Sequence, residues 1–304
     1  MTTPTGQARV PMLIRSREWV HAWLLLLPAL FFLFAFTHVP AVMTLWNSFY
    51  STPRGRRPAR FIGIENYERM IGDPVFWKVL GNNLWFALGT IPTSIAIAIA
   101  MALWVNDRLA GRGFVRMAYF TPTVLPLIAV ANIWLFFYTP GFGLIDQAAS
   151  TLFGWPQTNW LGDPATALNA VIVVTVWKEA GFFMIFYLAA LQAIPPSLVE
   201  AAKIEGAGRW TIFWRITFPL MMPTTLFVSI NAVINSFRLV DHIFILTNGG
   251  PDNASSLLLF YIYETAFKYW ETGYGATLTV AMLAILCALA IGQFFFFDRR
   301  VHYK

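Results

Sequence analysis

Long blocks of apolar residues, separated by shorter polar segments, dominate the chain. Within the blocks, apolar residues do not recur with the period of 2.0 or 3.6 that marks a half-buried strand or helix. A helix rising 1.5 Å per residue needs about 20 apolar residues to cross a hydrocarbon core of about 30 Å. The sequence therefore predicts an all-α, polytopic membrane protein with about six transmembrane helices. They lie at 19–46, 79–104, 115–138, 168–192, 218–240 and 275–297.

The composition agrees with lipid as the main solvent of the chain. Hydrophobic residues make up 58% of the 304 residues and charged residues only 12%, about half the charged share of a soluble domain. The net charge of +6 does not indicate nucleic acid, because basic residues of membrane proteins cluster at cytoplasmic helix ends. The single cysteine, Cys287, lies in an apolar block and predicts neither a disulfide framework nor a thiolate metal site.

The basic residues assign the two sides of the membrane. If the helices alternate in direction, both termini and the segments after the second and fourth helices share one side. That side carries Arg9, Arg15, Arg17, Arg108, Arg112, Arg116, Lys203, Arg209, Arg215, Arg299, Arg300 and Lys304. Because Lys and Arg are enriched in cytoplasmic segments, both termini are predicted to be cytoplasmic.

One basic cluster breaks this rule. Arg54, Arg56, Arg57 and Arg60 lie in a Pro- and Gly-rich stretch of the first external loop, which has the composition of a solvated turn. The cluster is open to two interpretations, contact with a partner protein or exposure to water alone. The predicted segments are a cytoplasmic segment (1–18), a first helix (19–46), an external loop (47–78), a core of five helices (79–297) and a cytoplasmic tail (298–304).

The connection between the fourth and fifth helices, residues 195–219, has helical order of its own, and we call it the motif loop. Two prolines and a serine at 195–197 end one helix and begin another. An apolar stripe broken by charged residues extends to Ile204, and Gly206 and Gly208 mark a bend before a second apolar stripe. The pattern predicts two short helices at the cytoplasmic membrane surface, where a soluble partner can contact them.

The motif loop resembles the EAA loop of ABC importer permeases, in which E-A-A-x-x-x-G is followed nine residues later by I-x-L-P. Phe218 stands where the family usually has leucine, which keeps an apolar side chain at that position. An amphipathic helix that only anchors the chain at the membrane surface is the alternative interpretation. The matching residues are Glu200, Ala201, Ala202, Gly206, Ile216 and Pro219.

Further segments resemble the carbohydrate-uptake branch of that family, the relatives of the maltose and glycerol 3-phosphate permeases. They are FIGIENYERM before the second helix, NWLGDP before the fourth, and LTNGGP at 246–251. The resemblance covers most of the chain and implies the type I ABC importer permease architecture.

The resemblance also implies partners in and around a bacterial inner membrane. They are a second, homologous permease forming a heterodimer, a cytoplasmic ATPase dimer, an external solute-binding protein and membrane lipid. In the family, the loop docks in a groove of the ATPase, so that Glu200 would supply the acidic contact and Gly206 the turn. ATP and Mg²⁺ would bind to the ATPase, and this chain would hold no cofactor.

The chain carries no nucleotide-binding or hydrolytic motif. The dipeptide Gly-Lys is absent, which excludes a P-loop. Neither H-E-x-x-H nor G-x-S-x-G occurs, and the four histidines are far apart in sequence. The sequence therefore predicts a transport subunit without catalytic or metal-binding residues, driven by ATP hydrolysis in a partner.

Two charged residues, Lys178 and Glu179, lie near the middle of the fourth predicted helix. A charge at mid-membrane costs about 2.5 to 3.5 kcal/mol on insertion, so such residues usually face a bundle interior or an aqueous path. Adjacent side chains project about 100° apart on a helix, so we expect each to have a partner on another helix. For Lys178, contact with solute oxygens and a structural ion pair in the permease dimer are both open.

The fifth predicted helix carries a polar stripe. Asn231, Asn235 and Arg238 are spaced i, i+4 and i+7, which places them on one helix face, rising from mid-membrane toward the external end. Asparagine amides pair well with sugar hydroxyls, but hydrogen bonding between helices is the commoner use. The stripe and the Lys178–Glu179 pair are the predicted substrate path.

Two other classes of function are alternatives. A secondary transporter driven by an ion gradient is expected to show paired broken helices and inverted halves, and no internal repeat is evident. A scaffold or receptor subunit without transport activity is the third class, and co-purification with an ATPase separates both from an ABC permease. Among solutes, sugars, oligosaccharides, polyols, glycerol phosphate and sulfonated sugars all fit, with Lys178 and Arg238 slightly favouring an anionic one.

Overall fold

In the computed structural model, the described residues are 12–106 and 111–298. The predicted terminal segments lie partly outside them, at 1–11 and 299–304, and Arg108 lies outside them as well, at 107–110. Within the described residues the regular structure is helical, and the β-type pairs are two isolated bridges, Tyr50–Phe61 and Arg54–Arg57. The all-α prediction is confirmed.

Longer connections lie at 48–64, 154–166 and 247–257, and the other helices follow one another more closely. The helices are α1 (Met12–Leu33), α2 (Val39–Asn47), α3 (Glu65–Gly72), α4 (Pro74–Asn106), α5 (Arg112–Val124), α6 (Leu127–Phe137), α7 (Leu144–Phe153), α8 (Ala167–Ala193), α9 (Pro196–Ile204), α10 (Arg209–Ile212), α11 (Phe218–Leu220), α12 (Met222–Arg238), α13 (Asp241–Leu246), α14 (Leu258–Tyr263) and α15 (Thr272–Asp298). Turns of π-helix lie at Phe34–His38, Phe213–Thr217 and Glu264–Lys268.

The described residues contain five helical stretches long and apolar enough to cross a membrane. A bent sixth stretch, Gly113–Val124 with Leu127–Phe137, passes the same test. The prediction of about six transmembrane helices is therefore confirmed. The five stretches are Trp19–Asn47, Pro74–Asn106, Ala167–Ala193, Met222–Leu246 and Thr272–Phe295.

The third span is broken in the structure, whereas the sequence analysis predicted one continuous helix at 115–138. α5 and α6 meet at an angle of 99°. Leu125 is extended, with ψ 136°, and Pro126 follows it. Proline has no backbone N–H to continue the helix and disfavours helical geometry in the residue before it, so the chain breaks there.

The fifth span also differs from its predicted bounds of 218–240. Its helix α12 begins at Met222, after the separate short helix α11, and ends at Arg238. A break at Leu239 and Val240 then leads into α13. The predicted range therefore joins two helical segments and omits a third.

α8 is the central helix of the bundle. It packs along the length of α4 and also contacts α5 and α12. Within an 18-residue apolar segment of α8, 61% of the residues are buried. In the equivalent segment of the first span, none are buried. The first span contacts the rest of the bundle through α2, which packs against α15. Most of its apolar surface therefore faces outward, toward lipid or another subunit.

A carboxylate fixes the start of α4 at the end of the bundle opposite the motif loop. Asp73 accepts hydrogen bonds from the hydroxyl groups of Tyr261 at 2.6 Å and Tyr274 at 2.7 Å, and from the N–H of Val75 at 2.9 Å. Burial acts to raise the pKa of Asp73, but these hydrogen bonds outweigh it and hold the pKa below its usual value. Asp73 thereby joins α4, α14 and α15.

Candidate functional site

The motif loop folds as a short helix closed by a glycine turn. Pro196 occupies the first turn of α9, where a backbone N–H has no acceptor within the helix, so proline costs no hydrogen bond there. At the other end, Gly206 N–H donates to Lys203 O at 3.0 Å and Ala207 N–H to Ala202 O at 2.9 Å, which is the Schellman arrangement. Gly206 has φ +81°, a conformation that residues with a Cβ adopt only under strain. The backbone itself therefore requires glycine at this position.

α9 presents one polar and one apolar side chain outward. Glu200 and Ile204, spaced i and i+4, share a helix face. Glu200 is exposed and forms no hydrogen bond or ion pair with the described residues, and Ile204 is 88% exposed. Ala201 beside them is exposed, whereas Ala202 is buried against the bundle. This face has the features of a contact surface for another molecule.

The second half of the motif loop borders a hollow that it shares with α4. Ile216 is half-buried within the π-helical turn, and Pro219 is exposed in α11. The hollow has a volume of about 720 Å³ and is lined by Ala100 on α4 and by Trp210 and Phe213 on the loop. Ile212 is buried, and Phe213 packs against a core cluster of α4 and α8 residues, so the loop also contacts the bundle between its two ends.

Lys178 lies beside the break in the third span. Its Nζ donates to the carbonyl oxygens of Pro122 at 3.0 Å, Thr123 at 3.2 Å and Leu125 at 2.6 Å. The last carbonyls of a helix have no partner within it, and an ammonium group has three N–H donors to offer. The expected partner on another element is confirmed, although it is a set of carbonyl groups and not a carboxylate. Lys178 thus stabilises a broken helix end inside the bundle.

Glu179 has its own partner on α12. The Nδ2 of Asn235 donates to Glu179 Oε2 at 2.9 Å, which confirms that the two adjacent charges have separate partners. A cleft beside this bond is lined by Thr90, Ser94 and Thr175, and its volume of about 10 Å³ suits a single water molecule. The bond ties α8 to α12, and we call Lys178, Glu179 and Asn235 the polar centre.

The structure does not bring the other two residues of the predicted path into this centre. Asn231 is half-buried, and its Nδ2 donates to Phe227 O of its own helix at 2.8 Å. Arg238 is exposed at the end of α12, with no ion pair to the described residues. Only Asn235 of the stripe therefore bonds to another helix.

The family described as "binding-protein-dependent transport system inner membrane component" matches residues 94–303, which include the motif loop and the polar centre. The match covers more than half of the chain. The chain belongs to this family. It is an inner membrane permease subunit of an ABC importer, and the predicted resemblance to that family is confirmed.

Three curated relatives align with most of this permease. The sulfoquinovosyl glycerol transport system permease protein SmoG of Agrobacterium fabrum is 32% identical over 89% of this chain and 88% of its own. The trehalose/maltose transport system permease protein MalF of Thermococcus litoralis is 32% identical, over 91% and 92%. The sn-glycerol-3-phosphate transport system permease protein UgpA of Agrobacterium fabrum is 30% identical, over 92% and 96%. The resemblance to the carbohydrate-uptake branch is thereby confirmed.

Two solved structures share the fold of this permease. A chain of a bacterial ABC transporter that imports the acidic polysaccharide alginate superposes with a TM-score of 0.82 at 22% identity, over 94% of this chain and 98% of that one. A chain of the alginate transporter in complex with a periplasmic protein bound to alginate pentasaccharide gives 0.79 at 21%, over 91% and 93%. At this identity the likeness establishes the permease fold alone.

Two residues that matter for helix packing around the site were not assigned that role from the sequence of the permease. A Cβ at Gly181 would lie 2.2 Å from Tyr119 O, so glycine is needed for α5 to approach α8 near Lys178. Asn83 of α4 donates to Ser236 O at 3.2 Å and accepts from Leu258 N–H at 2.9 Å, which connects α12 and α14. A glycine and an asparagine within long apolar helices were the available signals.

Proposed function

We propose that this permease forms one half of the membrane path of an ATP-driven importer for a sugar or sugar-like solute. One observation carries the proposal: α9 presents Glu200 and Ile204 outward, with no polar partner for Glu200 among the described residues, next to a turn whose geometry requires Gly206. A carboxylate and an apolar side chain on one exposed helix face suit insertion into a groove of a soluble protein. We assign that groove to a cytoplasmic ATPase dimer, which would bind ATP and Mg²⁺.

The loop is suited to transmit movement into the membrane. α9 follows α8 directly, and the rest of the motif loop leads into α12. Glu179 and Asn235 join these same two helices in the polar centre. When the ATPase subunits move α9, α8 and α12 would shift relative to their neighbours, which is the type of rigid-body change that alternates access to a path. ATP binding would thus be coupled to opening and closing of the path.

A second permease would complete the path. None of the residues in the 18-residue apolar segment of the first span are buried, and only 6% are buried in the equivalent segment of α15. Both helices therefore leave large apolar surfaces for lipid and for a homologous subunit. The motif loop and both termini would face the cytoplasm, and the loop at 47–78 would face an external solute-binding protein. Asn231 and Arg238 are the candidates for solute contact, while Lys178, Glu179 and Asn235 would shape the helices around it.

The solute would be a sugar derivative that carries an acidic group. The names of SmoG and UgpA specify a sulfoquinovosyl glycerol and a glycerol phosphate, and that of MalF specifies trehalose and maltose. Arg238 of this chain is exposed at the end of α12 and has no ion pair among the described residues. We propose an anionic sugar derivative, and family membership disfavours the alternative of transport driven by an ion gradient.

The test is ATP hydrolysis by the complex purified with its ATPase and second permease in lipid nanodiscs. Solute-binding proteins and candidate sugars, neutral and acidic, are added in turn. Hydrolysis stimulated by one loaded binding protein is expected, and Glu200→Lys is expected to abolish the stimulation. Glu205→Lys makes the same charge change about 140° around α9 and serves as the control. If no ATPase associates, or if Glu200→Lys and Glu205→Lys behave alike, the proposed coupling is wrong.

A further inference from the structure

The arginine cluster at 54–60 forms a hairpin at the end of the bundle opposite the motif loop. Tyr50 pairs with Phe61 at its base, and Arg54 pairs with Arg57 through hydrogen bonds of 3.1 and 3.0 Å at its tip. Gly55 provides the positive φ of 57° that the turn requires. All four arginine side chains of the hairpin are exposed. We call this segment the basic hairpin.

The basic hairpin is fixed to the helices below it. Asn66 of α3 donates to the carbonyl oxygens of Ser48 at 2.9 Å and Tyr50 at 3.1 Å. The N–H of Gly273 in α15 donates to Thr52 Oγ1 at 3.1 Å, and a Cβ at Gly273 would lie 2.4 Å from Tyr50 O. The segment is therefore a shaped surface with fixed backbone contacts, unlike a flexible basic tail.

The hairpin and α3 enclose a hollow of about 310 Å³ with a cationic wall. Arg54, Arg57 and Arg60 of the hairpin line it, together with Arg69 of α3 and one carboxylate residue, Glu271. Arg69 has a carboxylate partner, since its Nη2 lies 2.6 Å from Glu271 Oε2. The three hairpin arginines have no carboxylate partner among the described residues. Arg56, at the turn, does not line the hollow.

We propose that this hollow receives carboxylate side chains from an acidic surface of the solute-binding protein. The guanidinium group matches a carboxylate with two parallel N–H bonds, and three like charges along one wall favour a partner of opposite charge. A complementary charged surface also accelerates encounter between proteins. Recognition of anionic lipid depends mainly on the number of charges near the membrane surface, whereas this hollow has a fixed concave shape. The inference rests on the proposed function, because it requires a solute-binding protein.

The experiment uses the complete importer in nanodiscs of neutral lipid, with the binding protein that stimulates its ATP hydrolysis. The half-saturating concentration of that protein is measured for the native chain and for the triple variant Arg54→Gln, Arg57→Gln, Arg60→Gln. Arg57→Gln and Arg56→Gln form a matched single pair, since only Arg57 lines the hollow. The yield of assembled complex reports whether the variants fold. The measurements are repeated at 0.05 M and 1 M salt and in nanodiscs containing phosphatidylglycerol.

At low salt, the triple variant is expected to raise the half-saturating concentration about tenfold or more, and Arg57→Gln more than Arg56→Gln. The difference should nearly vanish at 1 M salt, where the Debye length is about 3 Å. Equal values for native and triple variant, or equal effects of Arg56→Gln and Arg57→Gln, would overturn the inference and leave the proposed function intact. A difference seen only with phosphatidylglycerol would assign the hollow to lipid. If no binding protein stimulates the native complex, the proposed function itself fails.

Discussion

The motif loop and the polar centre are two polar regions of a mostly apolar chain, and they differ in where their partners lie. In the motif loop, Glu200 is exposed and has no partner among the described residues. In the polar centre, Lys178 donates to three carbonyl oxygens and Glu179 accepts from Asn235. We propose that the first region contacts another molecule, whereas the contacts of the second hold this chain together.

The difference follows from the solvent around each region. An exposed carboxylate is hydrated and can stay unpaired until a partner arrives. A charge within the bundle has little water to replace a missing partner, and leaving it unpaired costs several kcal/mol. An unpaired polar side chain on the motif loop therefore indicates docking, whereas the paired groups of the polar centre indicate helix packing. The variants below test that distinction, from the largest expected effect to the smallest.

The largest effect is expected for Lys178→Met, which leaves the carbonyls at the break between α5 and α6 without donors. Hydrogen bonds to a charged group contribute about 1.5 to 3 kcal/mol each, partly offset by the cost of placing the charge in the bundle. We expect the free energy of unfolding to fall by about 3 to 5 kcal/mol, which would be measured as a lower melting temperature in detergent. Lys178→Arg retains N–H donors and should recover part of the loss. Equal melting temperatures for Lys178→Met and the native chain would show that the break needs no cap.

A smaller and more local effect is expected for Gly206→Ala in the motif loop. A left-handed conformation costs a residue with a Cβ about 1 to 2 kcal/mol, which corresponds to roughly tenfold weaker coupling to the ATPase. Gly208→Ala is the matched control, because Gly208 has φ −71° and no atom within 4 Å of an added Cβ. Solute-stimulated hydrolysis should fall for Gly206→Ala alone, with the melting temperature of the bundle nearly unchanged. Similar losses for both variants would refute the role of the turn.

The smallest effect concerns Asp73, which has internal partners but lies outside the transmembrane helices. Its pKa is lowered in the folded chain, so its contribution to stability is complete above its usual pKa of 3.8 and is lost as the pH falls through the folded value. Partial solvent exposure limits this contribution to less than about 1 kcal/mol. Melting temperatures between pH 6 and pH 3 should converge for the native chain and Asp73→Asn. Curves that stay parallel would show that Asp73 adds no pH-dependent stability.

The sequence predicted the motif loop better than the polar centre, for a physical reason. The spacing of Glu200 and Gly206 is local, and the φ of Gly206 depends on its own turn. The carbonyl partners of Lys178 are free because the helix breaks at Pro126, more than 50 residues earlier in the chain. The sequence analysis did not predict this break, because it placed one continuous helix there. The proline was a visible signal, since it removes a helical hydrogen bond. The contact between α5 and α8 that places these groups together was not readable from either segment alone.

The fold was largely predictable because lipid imposes length and apolarity on each span. The six apolar blocks located the transmembrane helices, and alternation placed the basic hairpin and the motif loop at opposite ends. The ends of the helices were less accurate, because short segments such as α11 and α13 carry little apolar signal of their own. Packing could not be anticipated either, since α8 and the first span are similarly apolar in sequence but differ in burial.

The central claim is that the motif loop docks on an ATPase, and photo-crosslinking from the loop tests it most directly. Ala201→Cys, exposed beside Glu200, is labelled with benzophenone maleimide in a Cys287→Ser background, because Cys287 is itself exposed. Glu65→Cys, exposed at the opposite end of the bundle, is the control. In the assembled importer we predict a crosslink to the ATPase from Ala201→Cys and none from Glu65→Cys. Labelling of lipid alone from Ala201→Cys, or equal capture of the ATPase from both positions, would contradict the account.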